Sequence, residues 1–131
     1  MRILLVIHGY PPYYMAGSEV YTYNLARELA KTNEVFVFHR IEDKDIPLHQ
    51  FFDSFEEGVH IRKINNYEPT PATFYDKYLN PEIDDAFREY VKKVNPDVVH
   101  IGHLSHLSTQ IPIIAKREFG LPVLFTIHDF W

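Results

Sequence analysis

The chain has 131 residues, 46% of them hydrophobic and 24% charged, which is the size of one ordinary domain that can bury a core without metal or cross-links. It contains no cysteine, so disulfides and thiolate zinc sites are excluded. Thirteen Lys and Arg against eighteen Asp and Glu leave a formal charge of −5, which argues against a phosphate-backbone binder and so against nucleic acid as a partner.

In chain order, Ile3-Leu4-Leu5-Val6-Ile7 is the first apolar run. It is far shorter than the roughly 20 residues that span a bilayer. The following His8-Gly9-Tyr10-Pro11-Pro12 holds no small-residue cleavage site, so a core strand is predicted rather than a signal peptide, and a cytoplasmic protein is expected. Over 18–31 a helix is predicted, with Tyr21, Leu25, Ala26 and Leu29 on one stripe, Ser18 as N-cap and Glu19 in the first turn, where the helix dipole favours an anion. Val35 to Phe38 reads as a second buried strand, and the mixed charges Glu42-Asp43-Lys44-Asp45 as a solvated loop. A weaker strand over 55–64, with Val59, Ile61 and Ile64 as its apolar positions, is expected at a sheet edge.

Asn65, Asn66, Pro69 and Pro71 mark a surface loop leading into a short helical turn near 74–79. From Pro81 to Val94, the residues Ile83, Ala86, Phe87, Tyr90, Val91 and Val94 follow the i, i+3, i+4, i+7 template, with Pro81 suited to a first turn. Val98 to Ile101 is a further buried strand. Leu107, Ile111, Ile114 and Ala115 form a last helical stripe stopped by Gly120 and Pro122, and Val123-Leu124-Phe125-Thr126-Ile127 is the final strand. Strands alternating with helices predict an α/β fold, a Rossmann-like parallel sheet of about five strands flanked by helices. Right-handed crossovers put the first strand at the centre, so ligand should bind at the carboxyl ends of the strands, in the loops 8–18, 102–106 and 128–131.

The first of these loops has neither G-x-G-x-x-G nor G-K-[ST], which leaves no dinucleotide fingerprint and no P-loop. Gly17 at a helix start can serve an anion through bare backbone N–H groups, or merely permit a tight turn. His100, His103 and His106 invite a zinc reading, but His100 sits within a strand and the spacing favours a packed His100 with His103 lining the cleft. His128-Asp129 places an imidazole beside a carboxylate at a strand end, where each tunes the other. No Ser/His/Asp or Cys/His nucleophile pattern stands out.

Three segments taken together carry a family resemblance. Tyr10-Pro11-Pro12 through Ala16-Gly17-Ser18-Glu19, with Leu25-Ala26, Leu29 and Glu34-Val35-Phe36-Val37, resembles the opening of the retaining GT-B glycosyltransferases of family 4 (glycosyl transferases group 1). Pro96-Asp97-Val98-Val99-His100-Ile101, and Gly120-Leu121-Pro122-Val123 through Thr126-Ile127-His128-Asp129-Phe130-Trp131, look like two later signatures of the same N-terminal domain. The stretch 41–80 carries little of the resemblance.

The resemblance implies a hexosyltransferase that moves a sugar from a nucleotide-sugar donor to an acceptor with retention, without a metal or other cofactor. Residues 1–131 would be its acceptor-side domain, the nucleotide-sugar-binding C-terminal domain being absent, so the chain is expected to be a fragment without appreciable transferase activity. By the same resemblance, Gly17 and Ala16 meet the donor diphosphate, with Ala16 standing where the family usually has glycine. The resemblance has His128 bond the transferred sugar with Asp129 beside it; His103, lining the cleft, and the aromatic Tyr13 and Tyr14 are expected to face the acceptor. The apolar strand Val123 to Ile127 has no following strand in the chain, so a homodimer through that edge is expected. Two other readings stand beside this one: a sugar-nucleotide epimerase-like domain, although its usual cluster of acids is not apparent, and a non-catalytic binding module with Tyr13, Tyr14 and Met15 as its surface. Peripheral membrane binding of a longer enzyme stays open, since no basic amphipathic face argues for it.

Overall fold

The computed structural model describes residues 1–68 and 73–129. It is an α/β domain built on one sheet of six strands in the order β3-β4-β2-β1-β5-β6, where β1 is Arg2–Ile7, β2 Glu34–Ile41, β3 Phe51–Glu56, β4 Val59–Asn65, β5 Val98–Ile101 and β6 Val123–Phe125. All pairings are parallel except β3 with β4. The predicted centre holds: β1 pairs with β2 through Ile3↔Val35 to Ile7↔His39 on one side and with β5 through Ile3↔Val98 to Val6↔Ile101 on the other.

Side-chain alternation along β1 divides the core. Leu4 and Val6 point to one face, where they meet Phe36, Phe38 and the helix α2, Pro81–Val94, through Ile83, Phe87 and Val91. Ile3, Leu5 and Ile7 point to the other face, covered by the helix α1, Gly17–Leu29, through Ala26. A sheet buried on both faces explains why these strands read as unbroken apolar runs. Helix α2 begins at Pro81 as predicted, and Asn80 before it is the N-cap, whose side chain accepts a hydrogen bond from Ile83 N at 3.1 Å. It ends at Asn95 in the left-handed region, whose N–H returns to Val91 O at 2.8 Å. The short turn predicted before α2 is a 3₁₀ turn, Tyr75–Lys77.

Several expectations are corrected. The weak strand over 55–64 is two strands, folded as a hairpin through Glu57 and Gly58, both at positive φ, so β4 is interior and β3 takes the edge. The N-cap of α1 is Ala16, not Ser18; Ser18 lies inside the helix and donates its hydroxyl to Glu19 Oε2 at 3.0 Å. Tyr21 is exposed, and the face of α1 turned to the sheet is Glu19, Thr22 and Ala26. The last helix, α3, is short: Ile111–Ile113 is α-helical and Ile114–Glu118 widens to a π turn, while Leu107 packs in the core ahead of it. Strand β6 stops at Phe125, with Thr126 N still reaching Ile101 O at 2.9 Å. Pro69, Pro71, Phe130 and Trp131 lie outside the described residues. Among the described residues no helix is long and apolar enough to cross a membrane.

Candidate active site at the carboxyl edge of the sheet

The parallel strands deliver the loops after β1, β5 and β6 to one edge of the sheet, and histidines gather there. His8 follows β1, His103 and His106 follow β5, and His128 follows β6. Three of these imidazoles each direct Nε2 at a carboxylate: His8 at Glu19 Oε1 (3.0 Å), His103 at Asp129 Oδ1 (3.2 Å) and His106 at Glu68 Oε1 (2.8 Å). His100, within β5, spends Nε2 on the Thr126 hydroxyl at 2.7 Å. The sequence cluster of His100, His103 and His106 is thus divided among three different partners. Among the described residues no three His, Cys, Asp or Glu side chains are grouped to hold a metal ion.

Burial sets the charge of this edge. His8 is pushed down to about 4, first by burial and then by His103, against the opposing pull of Glu19. His39, at the end of β2, is pushed to about 4 by burial, although its Nδ1 donates to Arg40 O at 2.9 Å. Burial also lowers His100, helped by His128, and lowers His106, helped by Arg40. Near neutral pH these four rings are therefore uncharged and can each donate or accept a hydrogen bond.

Each expected site residue can now be placed. Gly17 is exposed as the first residue of α1, and Ala16 before it is extended, with no side chain capping the helix. His128 is exposed, sits edge-on to Tyr21 of α1 at 5.0 Å between ring centres, and lies over Gly102, where an added Cβ would come 3.8 Å from its Nε2. An added Cβ at Gly102 would also fall 2.8 Å from Ile7 Cδ1, so a side chain there would crowd the packing between β1 and β5. His103 is buried and Asp129 exposed. Tyr13 and Tyr14 are not brought to this group. The Tyr13 hydroxyl bonds Lys63, whose ammonium lies 4.7 Å from the ring centre, and Tyr14 folds back over Gly9 toward Arg40.

A family model described as Glycosyltransferase Family 4 matches residues 15–131. The chain belongs to glycosyltransferase family 4. No curated protein matches it. The family 4 match and the six-stranded sheet agree with the N-terminal half of the GT-B architecture, and the matched span includes Gly17, His103, His128 and Asp129.

Two features of this family 4 domain escaped sequence reasoning. The pair of half-buried His8 and buried Glu19 joins residues eleven positions apart across a loop; its signal is Glu19 standing in register with Thr22 and Ala26 on the buried stripe of α1. The second is a set of ties between loops: Asn66 Nδ2 donates to His106 O (2.8 Å), His106 N to Lys77 O (2.9 Å) and Thr109 N to Tyr78 O (2.8 Å). A cavity of about 450 Å³ lies away from the histidines, between the Pro11-Pro12 turn, Tyr23 and the tip of the β3–β4 hairpin at Glu56 and Glu57.

Proposed function

We propose that this domain is the acceptor-side half of a retaining glycosyltransferase whose nucleotide-sugar donor lies across the carboxyl edge of the sheet. The observation that carries the reading is the contact of His128 with Tyr21, one turn along α1 from Gly17. An anion at the start of the helix and a sugar at His128 would then be neighbours, as a nucleotide sugar requires. The first-turn N–H groups and the helix dipole receive the diphosphate at Ala16 and Gly17. His128 bonds the transferred sugar, Asp129 supports it, and the acceptor enters past His103.

In a front-face transfer the sugar's bond to the diphosphate breaks while the acceptor oxygen bonds the same face of the anomeric carbon. The acceptor proton passes to the departing phosphate oxygen. The protein needs fixed donors toward the leaving group more than a strong nucleophile. The helix start supplies some of these donors, and cations of a second, nucleotide-sugar-binding domain supply the rest, so the reading requires no metal. Uncharged imidazoles at this edge suit a hydroxyl-rich ligand, which supports a saccharide rather than a polyanionic acceptor.

Amide and imidazole spectra recorded while UDP, GDP and ADP are added in turn test the proposal. At least one diphosphate should move the amides of Gly17 and Ser18 together with the His128 ring signals. If all three leave these signals in place at millimolar concentration, the donor site is elsewhere. In an enzyme carrying the nucleotide-sugar domain, His128→Ala should cut turnover, and full turnover in that variant would remove the role given to His128.

A further inference from the structure

The histidine–carboxylate pairs at the sheet edge are not equivalent. His106 with Glu68 belongs to the loop ties already described. His8 with Glu19 is different, because Glu19 is a carboxylate only 3% exposed on a helix face otherwise made of Thr22 and Ala26. A buried carboxylate persists only when its oxygens are satisfied. Both are: Oε1 takes His8 Nε2 at 3.0 Å and Oε2 takes the Ser18 hydroxyl at 3.0 Å.

That arrangement fixes more than Glu19. A carboxylate accepts, so the proton of neutral His8 is held on Nε2, and the ring cannot turn over without breaking the bond. The ring lies against His103, with centres 4.3 Å apart and planes at 51°. His103 is held on two further sides, by Ser105 N–H donating to Nδ1 at 3.1 Å and by Asp129 Oδ1 at 3.2 Å from Nε2. A continuous chain therefore runs from the first turn of α1 through His8 and His103 to Asp129, the residue next to His128. Arg40 from β2 and His106 from the loop after β5 are the other charged or titratable groups acting on His8.

We infer that Glu19 and His8 are positioning residues of the transfer reaction, which through His103 fix where Asp129 and the adjoining His128 stand over the cleft. The inference rests on the glycosyltransferase reading above. Beyond β6 the described residues of this segment are tied by Thr126 to Ile101 and His100, by His128 to Tyr21, and by Asp129 to His103. The last is the one that reaches the buried Glu19. A misplacement of about 1 Å at a reacting centre can lower a rate about a hundredfold, so a positioning chain of this kind is a kinetic device.

Long-range proton–nitrogen spectra of the imidazoles, with amide spectra of Ile127, His128 and Asp129, test it on the chain itself. The wild-type protein should show His8 and His103 both protonated on Nε2 at pH 7. Glu19→Leu should give His8 a mixture of both proton positions and shift the His103 ring and the amides of His128 and Asp129. Glu19→Gln, which keeps an oxygen acceptor in place, should restore the wild-type pattern. Unmoved His103 and Asp129 signals in a folded Glu19→Leu protein overturn the inference. If that variant does not fold, His8→Asn reads the same chain, and unmoved Asp129 signals there overturn it equally. In a transferase assay of an enzyme carrying the nucleotide-sugar domain, Glu19→Leu should lower kcat about tenfold or more with donor KM unchanged, and an unchanged kcat is again fatal. The spectra need no turnover, so their failure leaves the transferase reading standing, whereas silence of Gly17 and His128 toward UDP, GDP and ADP removes that reading first.

Discussion

Lowering the pH from 7 to 5 sets the buried His39 and the half-buried His8 against the unfolded chain. His8 and His39 sit at about 4 in the folded protein, chiefly because burial disfavours their charged forms. In the unfolded chain they return to the ordinary value of about 6.5. The folded value is the lower one, so as the pH falls below 6.5 the unfolded state takes up protons that the native state refuses. The stabilisation is whole above pH 6.5 and is lost progressively until the pH reaches about 4. At pH 5 an unfolded imidazole is almost fully protonated and a native one scarcely at all, which amounts to about 2 kcal/mol for the buried His39 and about 1 kcal/mol for the half-buried His8, which water screens. Together they remove about 3 kcal/mol from a total that for a domain is about 5–15 kcal/mol. His100 and His106 are lowered too and steepen the loss. Urea unfolding followed by far-ultraviolet circular dichroism at pH 7, 6 and 5 and fixed ionic strength measures it. The His39→Gln variant should start less stable and lose about half as much over the same interval. Equal urea midpoints at pH 7 and pH 5, or parallel pH profiles for wild type and His39→Gln, would refute the argument.

Three further outcomes are expected. Asp53 accepts both arms of the buried Arg62 at 2.7 Å and also Lys93, and Arg62 above all holds its carboxyl near 2. With its side chain 38% exposed, Asp53→Asn should cost about 1 kcal/mol at pH 7 after allowance for solvent screening; an unchanged urea midpoint contradicts this. Gly9→Ala would put a methyl group 2.7 Å from the Tyr14 ring, so the ring must leave its place near Arg40, and unmoved Tyr14 ring signals would show that it need not. Leu124 and Ile127 are exposed at the β6 edge, and we expect this strand to pair two copies of the chain. Sedimentation velocity should show a dimer that Leu124→Lys dissociates, and a monomer at high concentration would end the idea.

Periodicity was a sufficient guide to β1 and α2. The run from Ile3 to Ile7 and the helix over Pro81–Val94 bury one or both faces, so their apolar spacing reports their structure. Strand β3 was illegible because its six residues bury almost nothing; it is held by backbone pairing to β4 and by the Asp53–Arg62 clamp. The cap of α1 misled in another way, since Ser18 has the preferred chemistry but spends its hydroxyl on Glu19, leaving Ala16 at the helix start. At the site, the loops were legible from topology and the family resemblance named His128 and Gly17. The pairings of His8 with Glu19 and His103 with Asp129 were not, because nothing in the order of residues says which imidazole meets which carboxylate.

The loop ties from Asn66, His106 and Thr109 make the two sides of the cleft mechanically unequal. The wall on the α2 and α3 side is stitched across separate loops by the Asn66 side chain and by two backbone hydrogen bonds, while the start of α1 has an uncapped first turn and exposed Ala16 and Gly17. A molecule entering between them meets one rigid surface and one compliant surface. On the transferase reading proposed above, selectivity would be imposed by the rigid side, which rejects what does not match it. Adjustment to the bound molecule falls to the first turn of the helix, where ordering it draws on the binding free energy.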